Sequence, residues 1–174
     1  MISSAFDLGE EIKLRSLPYV VHPRLWSTYS FSTIDISFAA WQSIKYLNDN
    51  GTDYNSAIDT VPNDKGGLYL FYAKCPIILG ITEYPFYIGR AQLTKGQNLR
   101  KRVKEYFSHY SKEIERPKIT KMFKYWGTNL YLAYITLDEN QEIQDLEKKL
   151  INSLLFPMND EIPDKEIRDS VKAF

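Results

Sequence analysis

Apolar positions recur at helical spacing over residues 139–155. Ile143, Leu146, Leu150, Ile151 and Leu154 form one stripe, and Pro157 stops the run. Residues 98–110 repeat the pattern with Leu99, Val103, Tyr106, Phe107 and Tyr110. Residues 116–126 read as a short helix and 164–173 as a terminal one. Three runs rich in aromatic and β-branched residues, 67–73, 84–90 and 129–137, read as strands. The stretch Val-Pro-Asn-Asp-Lys-Gly-Gly at 61–67 is a turn and a natural boundary. Before it the pattern is mixed. Residues 36–48 read as a helix closed by Asn50-Gly51, while Pro18, Pro23 and Pro62 interrupt regular structure. From Gly67 the order is strand, strand, helix, helix, strand, helix, and the first two strands are placed to form a hairpin. The expected fold is therefore mixed α/β (α+β), with a small three-stranded antiparallel sheet flanked by helices over 63–174. A mainly helical extension of unassigned role is expected over 1–62.

At 174 residues the chain has the length of one ordinary domain. Its composition, 44% hydrophobic and 25% charged, is that of a globular protein. The longest apolar stretches, 68–73 and 76–81, are too short to span a bilayer. The start, 1–13, has neither the basic flank nor the apolar core of a secretory signal. A single cysteine, Cys75, fits a reducing compartment, so a cytoplasmic location is expected. With only two histidines beside it, a structural zinc site is not expected.

The zero net charge conceals segregation. Residues 1–89 carry a net −3, residues 90–125 a net +8, and residues 126–174 a net −5. The central basic run is what a phosphate-binding face needs. Taken alone, it also fits a solvated helix surface. Tyr106, Phe107, Tyr110, Phe123 and Tyr125 are interleaved with it, either as stacking surfaces or as core.

Two polar residues interrupt the apolar stripes. Glu147 lies four residues after Ile143 and four before Ile151, in the middle of its helix's stripe. A carboxylate there must be protonated, paired or metal-bound, and a structural ion pair and a functional group are equally compatible. Arg102 flanks the other stripe, with Tyr106 one turn on and His109 near the same edge. Read alone, Arg102 is a snorkelling side chain. The chain contains no P-loop, nucleophile elbow, His-Glu-x-x-His or Gly-x-Gly-x-x-Gly motif.

Taken together these residues resemble the GIY-YIG nuclease family. Gly67-Leu68-Tyr69 lies on the first strand and Tyr87-Ile88-Gly89 on the second, followed by Arg90. Asn98-Leu99-Arg100-Lys101-Arg102-Val103 is similar to the family's first helix, with its catalytic arginine at Arg102 and its helical Tyr or His at Tyr106. Leu146-Glu147 with Leu150-Ile151 resembles the helix that carries the metal-binding glutamate. Pro157-Met158-Asn159 resembles the asparagine segment. The likeness covers about 67–160. Leu68 replaces the usual isoleucine, and the interval from Tyr69 to Tyr87 is longer than the family norm, which implies an enlarged hairpin loop.

The resemblance implies an endonuclease that hydrolyses phosphodiester bonds with one Mg²⁺ or Mn²⁺ held by Glu147. Arg102 would fork onto a non-bridging phosphate oxygen. Tyr69 or Tyr87 would orient or deprotonate the water, with Tyr69 the favoured choice. Tyr106 would position water or phosphate. Arg90, Lys95, Arg100, Lys101, Lys104, His109 and Asn159 would contact substrate, Asn159 also bracing the site. Gly67 and Gly89 would be structural. The expected substrate is DNA, with RNA left open, and no membrane partner is expected. The setting would be a stand-alone restriction-, phage- or mobile-element-type enzyme, and a homodimer would help it cut both strands. Two other readings are a catalytically inactive nucleic-acid-binding module on the same fold and a protein-interaction module.

Overall fold

The computed structural model describes residues 4–78 and 80–173. The first three residues of the amino-terminal stretch, and Leu79 of the 76–81 run, thus lie outside the described residues. Helices α1 (Ala5–Arg15) and α2 (Pro23–Trp26) come first, then strand β1 (Gln42–Lys45). The hairpin β2 (Gly66–Lys74) and β3 (Glu83–Ala91) follows, then α3 (Leu99–Ser111) and α4 (Pro117–Trp126). Strand β4 (Leu130–Leu137), α5 (Asn140–Leu154) and α6 (Lys165–Ala173) complete the described chain.

The strands form one antiparallel sheet in the order β1-β4-β2-β3. It has four strands, not the expected three. The added strand lies inside residues 36–48, where a helix is expected from the sequence. That stretch instead forms a 3₁₀ turn at Phe38–Ala40 and then β1, which pairs Gln42 with Tyr134 and Lys45 with Tyr131. The physical reason is tertiary. β4 offers an open edge of backbone donors and acceptors, and pairing satisfies them. Beyond the strand, Tyr46 is fully buried and donates its hydroxyl to the Val103 carbonyl at 2.5 Å. The turn expected at Asn50-Gly51 is present, with Gly51 at φ +71°.

β4 and β2 are the interior strands, and β2 is buried on both faces. On one face Tyr69, Phe71, Leu132 and Tyr134 pack under α3 and α4, together with Tyr46, Ile58 and Val61. On the other, Leu68, Ile88 and Ile135 pack under Ile143, Leu146, Leu150 and Ile151 of α5. The α5 stripe stops one turn earlier than expected: Leu154 is 44% exposed, and Leu155 turns the chain away at φ +47°. Residues on both sides of position 62 share the α3/α4-side core.

α3 begins where Asn98 caps it, its side chain accepting from the Lys101 amide. α4 begins at Pro117, where a missing N–H costs nothing. The β2–β3 register sets Tyr69 opposite Gly89 and Phe71 opposite Tyr87, with a bulge between Phe71 and Tyr72.

Candidate active site

Two glycines make the local geometry. Gly67 has φ +156°, and a side chain there would overlap the Ile135 carbonyl on β4. At Gly89 a Cβ would lie 2.5 Å from the Tyr69 hydroxyl, so the absent side chain is the space the Tyr69 ring fills.

Three tyrosines then meet through their hydroxyls. Tyr106 of α3 lies 2.7 Å from Tyr69 and donates to Tyr87 at 3.1 Å. With the Tyr106 proton committed to Tyr87, Tyr69 is the donor to Tyr106, and the Tyr87 proton is left for the cleft. Arg102, one turn before Tyr106, donates to the Tyr106 hydroxyl at 3.4 Å and to Glu105 at 2.8 Å. Its guanidinium lies 5.2 Å from the Tyr106 ring centre.

Burial sets the electrostatics. Tyr69 is fully buried, and desolvation pushes its hydroxyl well above the ordinary tyrosine range. Tyr87 adds to this, while Arg102 pulls back. Tyr106 is raised by the same cause. A lowered Tyr69 hydroxyl, which a role as base would need, is therefore not what its surroundings produce. Tyr87 is the tyrosine that lines the cleft.

That cleft, about 580 Å³, is lined by Tyr87, Arg90, Arg102, Arg116, Glu147 and Lys148, with Asn159, Asp160 and Glu161 on the far wall. Glu147 comes from α5 and Arg90 from β3, and they form an ion pair. The Glu147 side chain is 12% exposed. Burial raises its carboxyl, while Arg90 and then Arg102 oppose that shift. Arg90 bonds only Oε2, and among the described residues nothing donates to Oε1.

Asn159 closes the wall as a strand would. Its side chain accepts from the Ile88 amide at 3.0 Å and donates to the Ile88 carbonyl at 2.9 Å. Both polar atoms are thus spent on the free edge of β3, which is a bracing role. Met158 adds a backbone bond to Phe86.

Other expected substrate contacts lie elsewhere. Arg100 binds the carbonyls of Val61 and Asp59, each at 2.6 Å. Lys104 pairs with Asp59 at 3.0 Å and lies over the Tyr54 ring. Lys101 bonds the Gly96 carbonyl, and Lys95 is exposed on the preceding loop. None of these four lines the cleft. His109 lines a smaller neighbouring hollow of about 260 Å³, with Arg102, Glu105, Glu115 and Arg116.

Arg116 was not singled out by sequence reasoning. It occupies the residue before α4, 5.5 Å from the Tyr87 ring centre, and bonds Asp160 at 3.1 Å. The only sequence signal is the Arg116-Pro117 pair at a helix start.

Among the described residues no group of three or more His, Cys, Asp or Glu is gathered as a metal cage. A hard cation that keeps several waters asks for only one or two carboxylates, and Glu147, with Oε1 unbonded, meets that smaller requirement. Among the described residues no helix is long and apolar enough to cross a membrane. Comparison with protein-family models, with curated proteins and with solved structures returned no match.

Proposed function

We propose that this chain is a metal-dependent endonuclease of GIY-YIG type that hydrolyses phosphodiester bonds in DNA. One observation carries the reading: Arg90, Arg102 and Arg116 converge with Tyr87 on a single cleft that also holds the largely buried carboxylate Glu147. Clustered guanidinium groups suit a phosphodiester, which presents anionic oxygens in a plane that forks can match.

Each group has a role in this account. Arg102 and Arg116 take the non-bridging oxygens and stabilise the charge that builds on them. Tyr87 orients the attacking water through its hydroxyl, with the Arg116 guanidinium beside its ring, and takes the water's proton only after giving its own to solvent. Water adds to phosphorus as the bond to the leaving sugar oxygen breaks. Tyr106 and Tyr69 hold the Tyr87 hydroxyl in place through the hydroxyl chain. Arg90 screens Glu147, and Asn159 keeps the wall of the cleft against β3. A divalent cation on Glu147 would neutralise charge at phosphorus and at the leaving oxygen.

A second reading draws on the same ion pair. Because Arg90 already neutralises Glu147, the cleft also suits a non-catalytic nucleic-acid-binding module. Plasmid and short duplex DNA, incubated with Mg²⁺, Mn²⁺ or chelator, separate the two. The nuclease reading expects metal-dependent cleavage by the wild type and none by Glu147→Ala. Salt-dependent binding without cleavage by either protein selects the second reading. Absence of both overturns each of them and leaves the protein-interaction module.

A further inference from the structure

α4 joins two hollows. Its first flanking residue, Arg116, lines the phosphate cleft, and its last residue, Trp126, lines a separate hollow of about 520 Å³. Ten residues at 1.5 Å each put the two about 15 Å apart.

The second hollow is aromatic with a cationic rim. Trp126 packs on Phe86 in a tilted contact, ring centres 5.0 Å apart and planes inclined by 54°. Tyr84 and Tyr19, 47% and 41% exposed, form its outer wall. They are close enough that Tyr84 adds to the burial that raises the Tyr19 hydroxyl to about 12. Arg15 and Lys74 stand at the edge. The wall contributed by residues 15–19 is tied to α4. Lys121 donates to the Ser16 carbonyl at 3.1 Å, and the Arg15 guanidinium lies 5.5 Å from the Tyr125 ring centre.

Between the two hollows α4 is uniformly basic on its outer side. Ile119, Met122 and Phe123 face the core, and Lys118, Lys121 and Lys124 follow each other at three-residue spacing. Pro117–Trp126 contains no acidic residue. Lys118 is within 3.6 Å of Asp160, and Lys124 lies over the Tyr125 ring.

We propose that the Trp126 hollow is a nucleobase subsite: an unstacked base of single-stranded DNA inserts against Trp126 and Tyr84, above the buried Phe86, and its backbone follows Lys124, Lys121 and Lys118 to the phosphate cleft. Aromatic platforms beside a basic track are how single strands are held without sequence readout. The hollow also lies within the roughly 300–1,000 Å³ range of small-ligand sites. The proposal rests on the reading of the first cleft as a phosphodiester site, and it gives residues 15–19 a task in substrate binding.

The test uses the full chain with Trp26 and Trp41 changed to Phe, so that Trp126 alone reports. Oligothymidylate, oligouridylate and a blunt duplex are titrated while tryptophan emission and anisotropy are followed. The expected result is saturable quenching by the single strands, at the concentration where anisotropy reports binding, and less by the duplex. In the wild-type background, Tyr84→Ala weakens single-strand binding about tenfold, as loss of one stacked base predicts. Lys124→Glu weakens it further and flattens its salt dependence. Trp126→Leu does the same where circular dichroism shows it folded, and Tyr84→Ala, at an exposed position, keeps the test valid where it does not.

A preference for oligouridylate would overturn the assignment to DNA. Single strands that bind with unchanged Trp126 emission, and with equal affinity for Tyr84→Ala, would overturn the subsite. Metal-dependent plasmid cleavage in that same preparation would show that the nuclease reading survives the loss. Quenching without any cleavage would support the subsite and remove the nuclease reading.

Discussion

Gly89 and Tyr69 are a matched pair: one lacks the side chain whose volume the other uses. Alanine at 89 would press on the Tyr69 ring, which Tyr106 holds from the other side. Overpacking of this kind costs about 1–3 kcal/mol. Gly89→Ala is therefore expected to melt several degrees below wild type, and to lose more activity than its stability loss explains. The buried tyrosines also make a pH prediction. The folded-state values of Tyr46, Tyr69 and Tyr106 lie above the free-tyrosine value of 10. A raised value means that the unfolded chain gives up these protons first. Their contribution is complete below pH 10 and is lost as pH rises above it. Thermal melts from pH 9 to pH 11 should fall steeply, and less steeply in Tyr69→Phe. Much of this detail was legible at the residue level. Glu147 was marked by a charge on an apolar stripe, and Arg102 with Tyr106 by one helical turn. Arg116 was not, because its place over Tyr87 depends on how the chain enters α4, including Glu113 at φ +59°, and no periodicity records that.

The helices and the three expected strands appear close to where their patterns put them. The failure at 36–48 is instructive. Its apolar spacing fits a helix locally, but Gln42–Lys45 gains more by completing the edge of β4. Pairing between segments about ninety residues apart leaves no trace in a local window. The consequence is testable. Tyr46, Ile58 and Val61 belong to the core that surrounds the tyrosine chain, and Arg100 is spent holding the carbonyls at 59 and 61. A chain starting at residue 63 is therefore expected to lose its cooperative melt. Removal of residues 1–13 takes most of α1, which buries no residue, and should leave the melting temperature within a few degrees. Far-UV circular dichroism of the two truncations checks both outcomes.

At the scale of the whole molecule, three layers set one cleft at the edge of the sheet. α3 and α4 bring Arg102 and Arg116 from one side, β3 brings Tyr87 and Arg90, and α5 brings Glu147 from the other. Segregation of charge along the chain translates only partly into this geometry. Arg100, Lys101 and Lys104 are bound to their own backbone or to Asp59. Lys118, Lys121 and Lys124 line α4, with Lys118 bonded to the Asn159 carbonyl and Lys121 to the Ser16 carbonyl. The measurement that bears most directly on the central claim is cleavage of end-labelled DNA by wild type and Glu147→Gln, purified in parallel, across a Mg²⁺ titration. Glutamine keeps the size of the side chain and an acceptor for Arg90 while removing the charge that would hold the proposed cation. Metal-dependent cleavage is expected from wild type and its loss in Glu147→Gln, with both proteins folded by circular dichroism and the variant melting lower through loss of the Arg90 ion pair. Cleavage that persists in Glu147→Gln, or wild-type protein that binds DNA but cuts none at any Mg²⁺ concentration, would contradict the central claim.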